Sequence, residues 1–227
     1  KVKNNMRKNK INSVFAVTFL VVAFVCGLPF MALGQQAQNI LDKASQKYNQ
    51  SNGISASFSL QVRSKASQKA EVIEGTIQMK GEKFTLKTPD SYTWYDGTTQ
   101  WVYMEQTGEV NVSKPVGDEL QLTNPAVLLT TYKKGFTTKY NGESTNQSGK
   151  KVFDITLLPK NRKSDISKIE LRIDKLTYFP ASVTVTSKNG VSNTILISKL
   201  KTGVNQSASI FVFDERKFPG AEIIDLR

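Results

Sequence analysis

The chain has 227 residues, with 31 Lys and Arg against 19 Asp and Glu, a single cysteine and no histidine. The missing imidazole removes the commonest general base, the commonest metal ligand and the serine and cysteine triads that depend on it. No GxSxG elbow, P-loop or GxGxxG is present, so the expectation is a binding protein, not an enzyme, with no metal and no cofactor. Asp90, Asp96, Glu105, Glu109, Asp118 and Glu119 lie in or beside one set of turns. They are the remaining acid–base option, although acids on a hairpin rim are ordinarily solvated.

At the N-terminus, Lys1, Lys3, Arg7, Lys8 and Lys10 make a basic head, and Ser13 to Leu33 is apolar. Ala32 and Gly34 stand at minus three and minus one of a cut before Gln35, the small-residue pattern of a secretory cleavage site. The expected organisation is a cleavable signal peptide over 1–34 and one domain over 35–227, since no linker divides the remainder. A retained membrane anchor is the alternative, but small residues end the run and no basic stop-transfer cluster follows. Cys26 follows Phe24 and Val25 inside the apolar run, which is not a lipobox, so no lipidation and no disulfide are expected. The leader holds five of the 31 basic residues and no acid, which leaves 26 against 19, a net +7. That charge suits an anionic membrane surface or an acidic partner. The lysines are scattered over the polar faces of strands, and no nucleic-acid partner is expected.

Ala37 to Ser51 places Ala37, Ile40, Leu41, Ala44 and Tyr48 on one helical face. Strands follow. Ala56, Phe58, Leu60 and Val62 alternate with polar residues, and the pattern returns in Ile77/Met79, Phe84/Leu86, Val110/Val112, Phe153/Ile155/Leu157, Ile169/Leu171/Ile173, Val183/Val185, Ile195/Ile197 and Phe211/Phe213. Gly81-Glu82, Asp96-Gly97, Thr107-Gly108 and Asn189-Gly190 mark hairpin turns, so the sheet is largely antiparallel. Trp94, Tyr95, Trp101 and Tyr103 sit on neighbouring hairpin strands, where aromatics pair across a ladder. Asn124-Pro125 opens a second, shorter helix to Tyr132. Lys160, Arg162 and Lys163 form a basic hairpin loop, a candidate for partner docking.

About eleven strands make an apolar face on the order of 1,000 Å². Two short helices cover roughly 350 Å² of it. The remainder is buried in a self-filled barrel, in a sandwich, or in an open trough that holds an apolar ligand. Pattern alone does not choose among them.

Several collinear stretches resemble the periplasmic lipoprotein carrier family LolA. They are Ser57-Phe58, Gly75 to Lys80 leading to Phe84, Thr93 to Tyr103, Asn124 to Leu129, Phe153 to Pro159, Phe211 to Phe213 and Pro219-Gly220. The resemblance extends from about residue 36 to 227. It implies a mainly β fold with a few helices: a curved, unclosed antiparallel half-barrel of about eleven strands, with a helical lid over a hydrophobic cavity. It also implies a periplasmic monomer whose partners are acylated lipoproteins, an ATP-driven inner-membrane extractor and an outer-membrane acceptor or receptor. On that basis Phe58, Leu60, Ile77, Met79, Phe84, Leu86, Trp94, Trp101, Val110, Phe153, Ile155, Leu171, Val183 and Val185 are expected to line the cavity. Ile40, Leu41, Leu128 and Leu129 are expected on the lid. The family often carries Arg-Pro after the Gly-led strand, with the arginine thought to hold the lid; Lys80-Gly81-Glu82 stands there instead. Lys80 and Lys83 are the substitutes at hand. A lipid or lipoprotein sensor with the same fold and no transport role is the alternative function.

Overall fold

Ten alternating residues become β1 (Ile54–Arg63), with Ile54, Ala56 and Phe58 buried on one face and serines between them on the other. A computed structural model describes residues 28–64, 70–115 and 125–227. Most of the leader, Asn124, and the rim acids Asp118 and Glu119 lie outside the described residues. β2 (Glu71–Lys80) pairs antiparallel with β1, and β3 (Lys83–Lys87), β4 (Ser91–Tyr95), β5 (Gln100–Met104) and β6 (Glu109–Ser113) follow as a meander. The second half runs β7 (Phe136–Thr145), β8 (Lys151–Pro159), β9 (Ile166–Asp174), β10 (Pro180–Ser187) and β11 (Ser192–Thr202), and β11 returns to pair with β1. β12 (Glu222–Asp225) adds to β6 in parallel.

Among the described residues, the result is one unclosed sheet of twelve strands in the order β12-β6-β5-β4-β3-β2-β1-β11-β10-β9-β8-β7. Two differences from the strand reading have plain causes. β7 is almost all polar and carries few apolar residues to betray it. Phe211 and Phe213 do not form a strand: Ala208–Phe211 is a 3₁₀ turn, and the final strand comes later, in four residues. β7 is the edge strand at the other side; the helix Leu28–Gln50 packs along it, with Thr138 Oγ1 donating to Gly34 O at 3.4 Å. The edge is further blunted by Lys139 and by a bulge between Tyr140 and Gly142, where the glycine sits at φ +107°.

Among the described residues, the two α-helices lie on one face. α1 (Leu28–Gln50) buries Ala37, Ile40, Leu41, Ala44 and Tyr48, the stripe read from the spacing. It begins earlier than the spacing predicts, with Pro29 in its first turn, and runs through the expected cleavage point. Among the described residues, no helix is long and apolar enough to cross a membrane. α2 (Pro125–Gly135) buries Leu128, Leu129 and Tyr132. Its C-terminal carbonyls accept from Lys160, whose Nζ donates to Lys133 O at 2.8 Å and whose N–H donates to Gly135 O at 2.9 Å.

The other face has its own cover. After β11 the chain crosses behind β1 to β5 before reaching β6. Gln206 Nε2 donates to Ile54 O at 2.9 Å, Lys80 Nζ donates to Gln206 O at 3.3 Å, and the 3₁₀ turn packs on β3 and β4. Phe213 and Phe218 meet Trp94 edge-on at 5.4 and 5.3 Å. This strap gives β3 and β4 two buried faces, with Phe84 and Tyr95 on one side and Thr85 and Trp94 on the other.

Candidate functional site

Side chains directly opposite one another in a ladder share a face, so the register sorts the residues. The rows Ile54–Met79–Phe84–Tyr95 and Ala56–Ile77–Leu86 point toward the helices. They join one continuous core that also takes in Ile155, Leu157, Ile169, Leu171, Val183 and Val185 from the second half of the sheet. Within it lies an apolar cavity of about 50 Å³, bordered by Tyr48, Ile54, Ala56, Phe58, Ile77, Met79, Leu86, Leu129, Phe179, Pro180, Ile195, Ile197 and Leu200.

Of the expected lining residues, Phe58, Ile77, Met79 and Leu86 border this cavity, with Leu129 above it. Phe84, Ile155, Leu171, Val183 and Val185, with Ile40, Leu41 and Leu128 of the helices, belong to the same core without touching the void, and Leu60 and Phe153 pack half-buried against it. Trp94, Trp101 and Val110 are elsewhere. Trp94 is opposite Thr85 and Trp101, Trp101 is opposite Val112, and Val110 is opposite Tyr103. All lie on the back face, where Trp94 stacks on Tyr92 at 4.0 Å and Phe218 packs on Tyr103 at 4.7 Å. In β4 the aromatics occupy both parities, so alternation does not say which of them faces in.

Phe179, Pro180 and Leu200 carry no such pattern, since they sit at a turn and at a strand end. Gly75 has a visible role. It is opposite Phe58, and a Cβ there would collide with Lys87 O and lie 2.5 Å from Phe58 Cζ. The Phe58 ring therefore lies flat over the glycine toward the cavity.

The helices are tied down by a few polar bonds. Tyr48 OH donates to Gly81 O at 2.5 Å, fixing the C-terminal half of α1 to the β2–β3 turn. Burial first, and then the Glu82 carboxylate, push the Tyr48 phenol far above its ordinary range. It stays a donor, and the tie persists at every pH below the ordinary phenol value of about 10. Tyr132 OH donates to Asp42 Oδ1 at 2.8 Å, and Lys133 Nζ pairs with the same oxygen at 2.6 Å, joining α2 to α1. Burial raises the Asp42 pKa, but the bonds from Lys133 and Tyr132 outweigh it, and the carboxyl sits below its usual range. That tie contributes above the ordinary carboxylate value and is lost as pH falls through the lowered one.

Lys80 and Lys83 are opposite one another on the back face, and Lys80 is bonded to the strap. The hydroxyl that reaches the Gly81 turn, where the family's Arg-Pro pair is missing, belongs to Tyr48. Tyr48→Phe should loosen α1 by about 0.5–1.5 kcal/mol. Amide exchange in residues 40–50 should then quicken by roughly two- to tenfold, and unchanged exchange would deny Tyr48 the latch role.

The basic loop lies at the opposite end of the barrel from the β2–β3 turn. Lys160 is spent on the α2 carbonyls, and Arg162 O accepts from Lys188 Nζ at 2.6 Å. The rim acids support turns: Asp96 Oδ1 accepts from Thr98 N and Thr99 N, and Glu109 Oε2 accepts from Thr107 Oγ1. Among the described residues, no cluster of three His, Cys, Asp or Glu is placed to hold a metal.

The family described as outer membrane lipoprotein carrier protein LolA matches residues 29–190. An outer-membrane lipoprotein carrier protein of Glaesserella parasuis serovar 5 is 29% identical over 196 residues, covering 85% of each chain. One of Pasteurella multocida is 26% identical over 220 residues, covering 95% of this chain and 98% of its own. A conserved protein of Thermus thermophilus superposes with a TM-score of 0.56 at 16% identity, over 84% of this chain and 99% of its own.

Proposed function

Because the chain belongs to the family of the outer membrane lipoprotein carrier protein LolA, we propose that it is a periplasmic carrier. It takes up the acyl chains of lipoproteins released from the inner membrane and delivers them to the outer membrane. The observation that supports this most is the apolar cavity between the sheet and two helices that a handful of polar bonds hold down, with Tyr48 and Leu129 bordering it from the helix side.

Exposing an acyl chain of ~15 methylenes to water costs ~12 kcal/mol, and three chains ~36 kcal/mol, so free diffusion of the cargo is excluded. The cavity of about 50 Å³ is far smaller than the ~150 Å³ void that holds one benzene. Loading therefore requires α1 and α2 to move away from the sheet. Ile40, Leu41, Leu128 and Leu129 then exchange sheet contacts for contacts with the incoming chain. Apolar area stays buried throughout, and opening costs little beyond the Tyr48 and Asp42 bonds. Met79 and the aromatic rings around the void suit a site that repacks and releases. In this reading an ATP-driven extractor loads the protein at the inner membrane, an acceptor unloads it at the outer membrane, and the protein itself does no covalent chemistry.

Native mass spectrometry with lipid extraction, on protein recovered from the soluble envelope fraction of its own host, should find bound acylated lipoprotein. Protein that is always empty, and that also refuses a fluorescent fatty acid, would return the fold to a self-filled barrel. Cargo that passes on to acceptor membranes distinguishes a carrier from a sensor that retains it.

A further inference from the structure

The β9–β10 turn presents a leucine to solvent in an unusually fixed way. Leu176 is 90% exposed, yet the turn that carries it is fully bonded. Asp174 Oδ1 accepts from Leu176 N and Thr177 N at 2.9 Å each, Asp174 O accepts from Tyr178 N, and Asp174 N donates to Phe179 O. Tyr178 is held at φ +61°, a conformation that costs a bulky residue energy, with Lys43 Nζ 5.4 Å over its ring. Single exposed leucines are common on proteins. This one differs in its position.

Phe179 and Pro180, which follow it, border the cavity. On one side, a surface depression holding Leu176 also holds Lys47, Thr177 and Thr202. On the other, a second depression holds Lys150, Lys199, Ile197 and Leu200, of which the last two also border the cavity. Lys47, Lys150 and Lys199 are exposed. The acids facing them are largely committed: Asp174 to the turn, with Lys150 4.0 Å away, and Glu143 to Lys175 at 2.6 Å. Glu82 and Asp96 stand on the β2–β3 and β4–β5 turns at the same end of the barrel.

We propose that this end of the barrel docks on an anionic phospholipid bilayer, with Leu176 entering the acyl boundary and Lys47, Lys150 and Lys199 resting on the phosphates. The choice of occupant rests on the carrier reading; the geometry of the surface does not. Docked this way, the cavity opens toward the membrane and an acyl chain need not cross water to leave.

The test is vesicle flotation of protein expressed from the full chain and purified from the soluble fraction, using phosphatidylcholine with and without phosphatidylglycerol at low and high ionic strength. The expected result is flotation with the anionic vesicles only, weakened by salt. Leu176→Ser should reduce it, and Lys47→Glu with Lys199→Glu should reduce it by about tenfold or more. Leu158→Ser with Lys163→Glu, at the other end, should leave it unchanged. Leu176 is exposed, so its replacement leaves folding intact, and an unchanged thermal midpoint verifies this. No flotation, or flotation that these variants do not alter, would overturn the proposal. So would binding of the lysine face to an acidic soluble protein with none to vesicles. Uptake of a fluorescent fatty acid by the same samples separates the two readings. Uptake without vesicle binding removes the docking surface and leaves the carrier; vesicle binding through Leu176 without uptake removes the carrier alone.

Discussion

Ile77→Glu should abolish uptake of a fluorescent fatty acid while the protein remains folded below its lowered melting temperature. Ile77 is 7% exposed, borders the cavity, and stands opposite Ala56 and Leu86 on the inner face. A carboxylate there loses its hydration and gains no cation on its own row, so its pKa rises and its ionised form draws water under the helices. An acyl chain in the same space must remove that water, a cost that lowers affinity by about a hundredfold or more. The pH dependence follows from the raised folded pKa. Stability falls as pH rises from the ordinary Glu value of about 4.3 to the raised value, and levels off above it. Ile77→Met keeps the volume and apolar character and should bind as the parent does. Parent-like affinity in the glutamate variant at neutral pH would mean that acyl chains, if bound, lie elsewhere.

The residues most legible in the sequence are those where one face of a strand is buried and the other wet. Phe58, Ile77 and Met79 are placed on the buried face by alternation alone, because a shift of one residue would expose all of them. The α1 stripe is legible for the same reason, as each of its five apolar residues is buried in the one core. Legibility fails where both faces are covered. Trp94 and Tyr95 are equally buried, on opposite sides, and the reason lies more than a hundred residues downstream in Phe213 and Phe218. The strap itself is short and irregular, bonded through Gln206, Lys80 and the main-chain amides of Gly203 and Val204, which leaves no period to read. The latch is equally hidden. Tyr48 counts as one more apolar position of the helix until its hydroxyl is seen to reach Gly81 O.

Phe211→Ala should destabilise the protein severely while leaving the acyl site chemically untouched. Phe211 is fully buried, on the 3₁₀ turn that packs against the back of β3 and β4, and it is outside the core that surrounds the cavity. Truncating a buried phenylalanine costs about 3–5 kcal/mol, a large share of the roughly 5–15 kcal/mol that holds a domain together. For a domain of this size, that lowers the melting temperature by roughly 6–20 °C. The consequence travels along the strap, which is all that delivers β12 to β6. With the strap loosened, the β6 edge loses a partner that bonds it in parallel, its amides exchange sooner than those of β1, and the bare edge invites association with other chains. Fatty-acid uptake measured below the new melting temperature should match the parent, because the inner face is unchanged. The two substitutions thus act on opposite faces of one sheet: Ile77→Glu removes binding through a face that must accept a ligand, and Phe211→Ala removes stability through a face that the chain has already covered. A Phe211→Ala protein that melted like the parent would show the strap to be dispensable. One that stayed folded yet lost uptake would show that the two faces are coupled through β3 and β4.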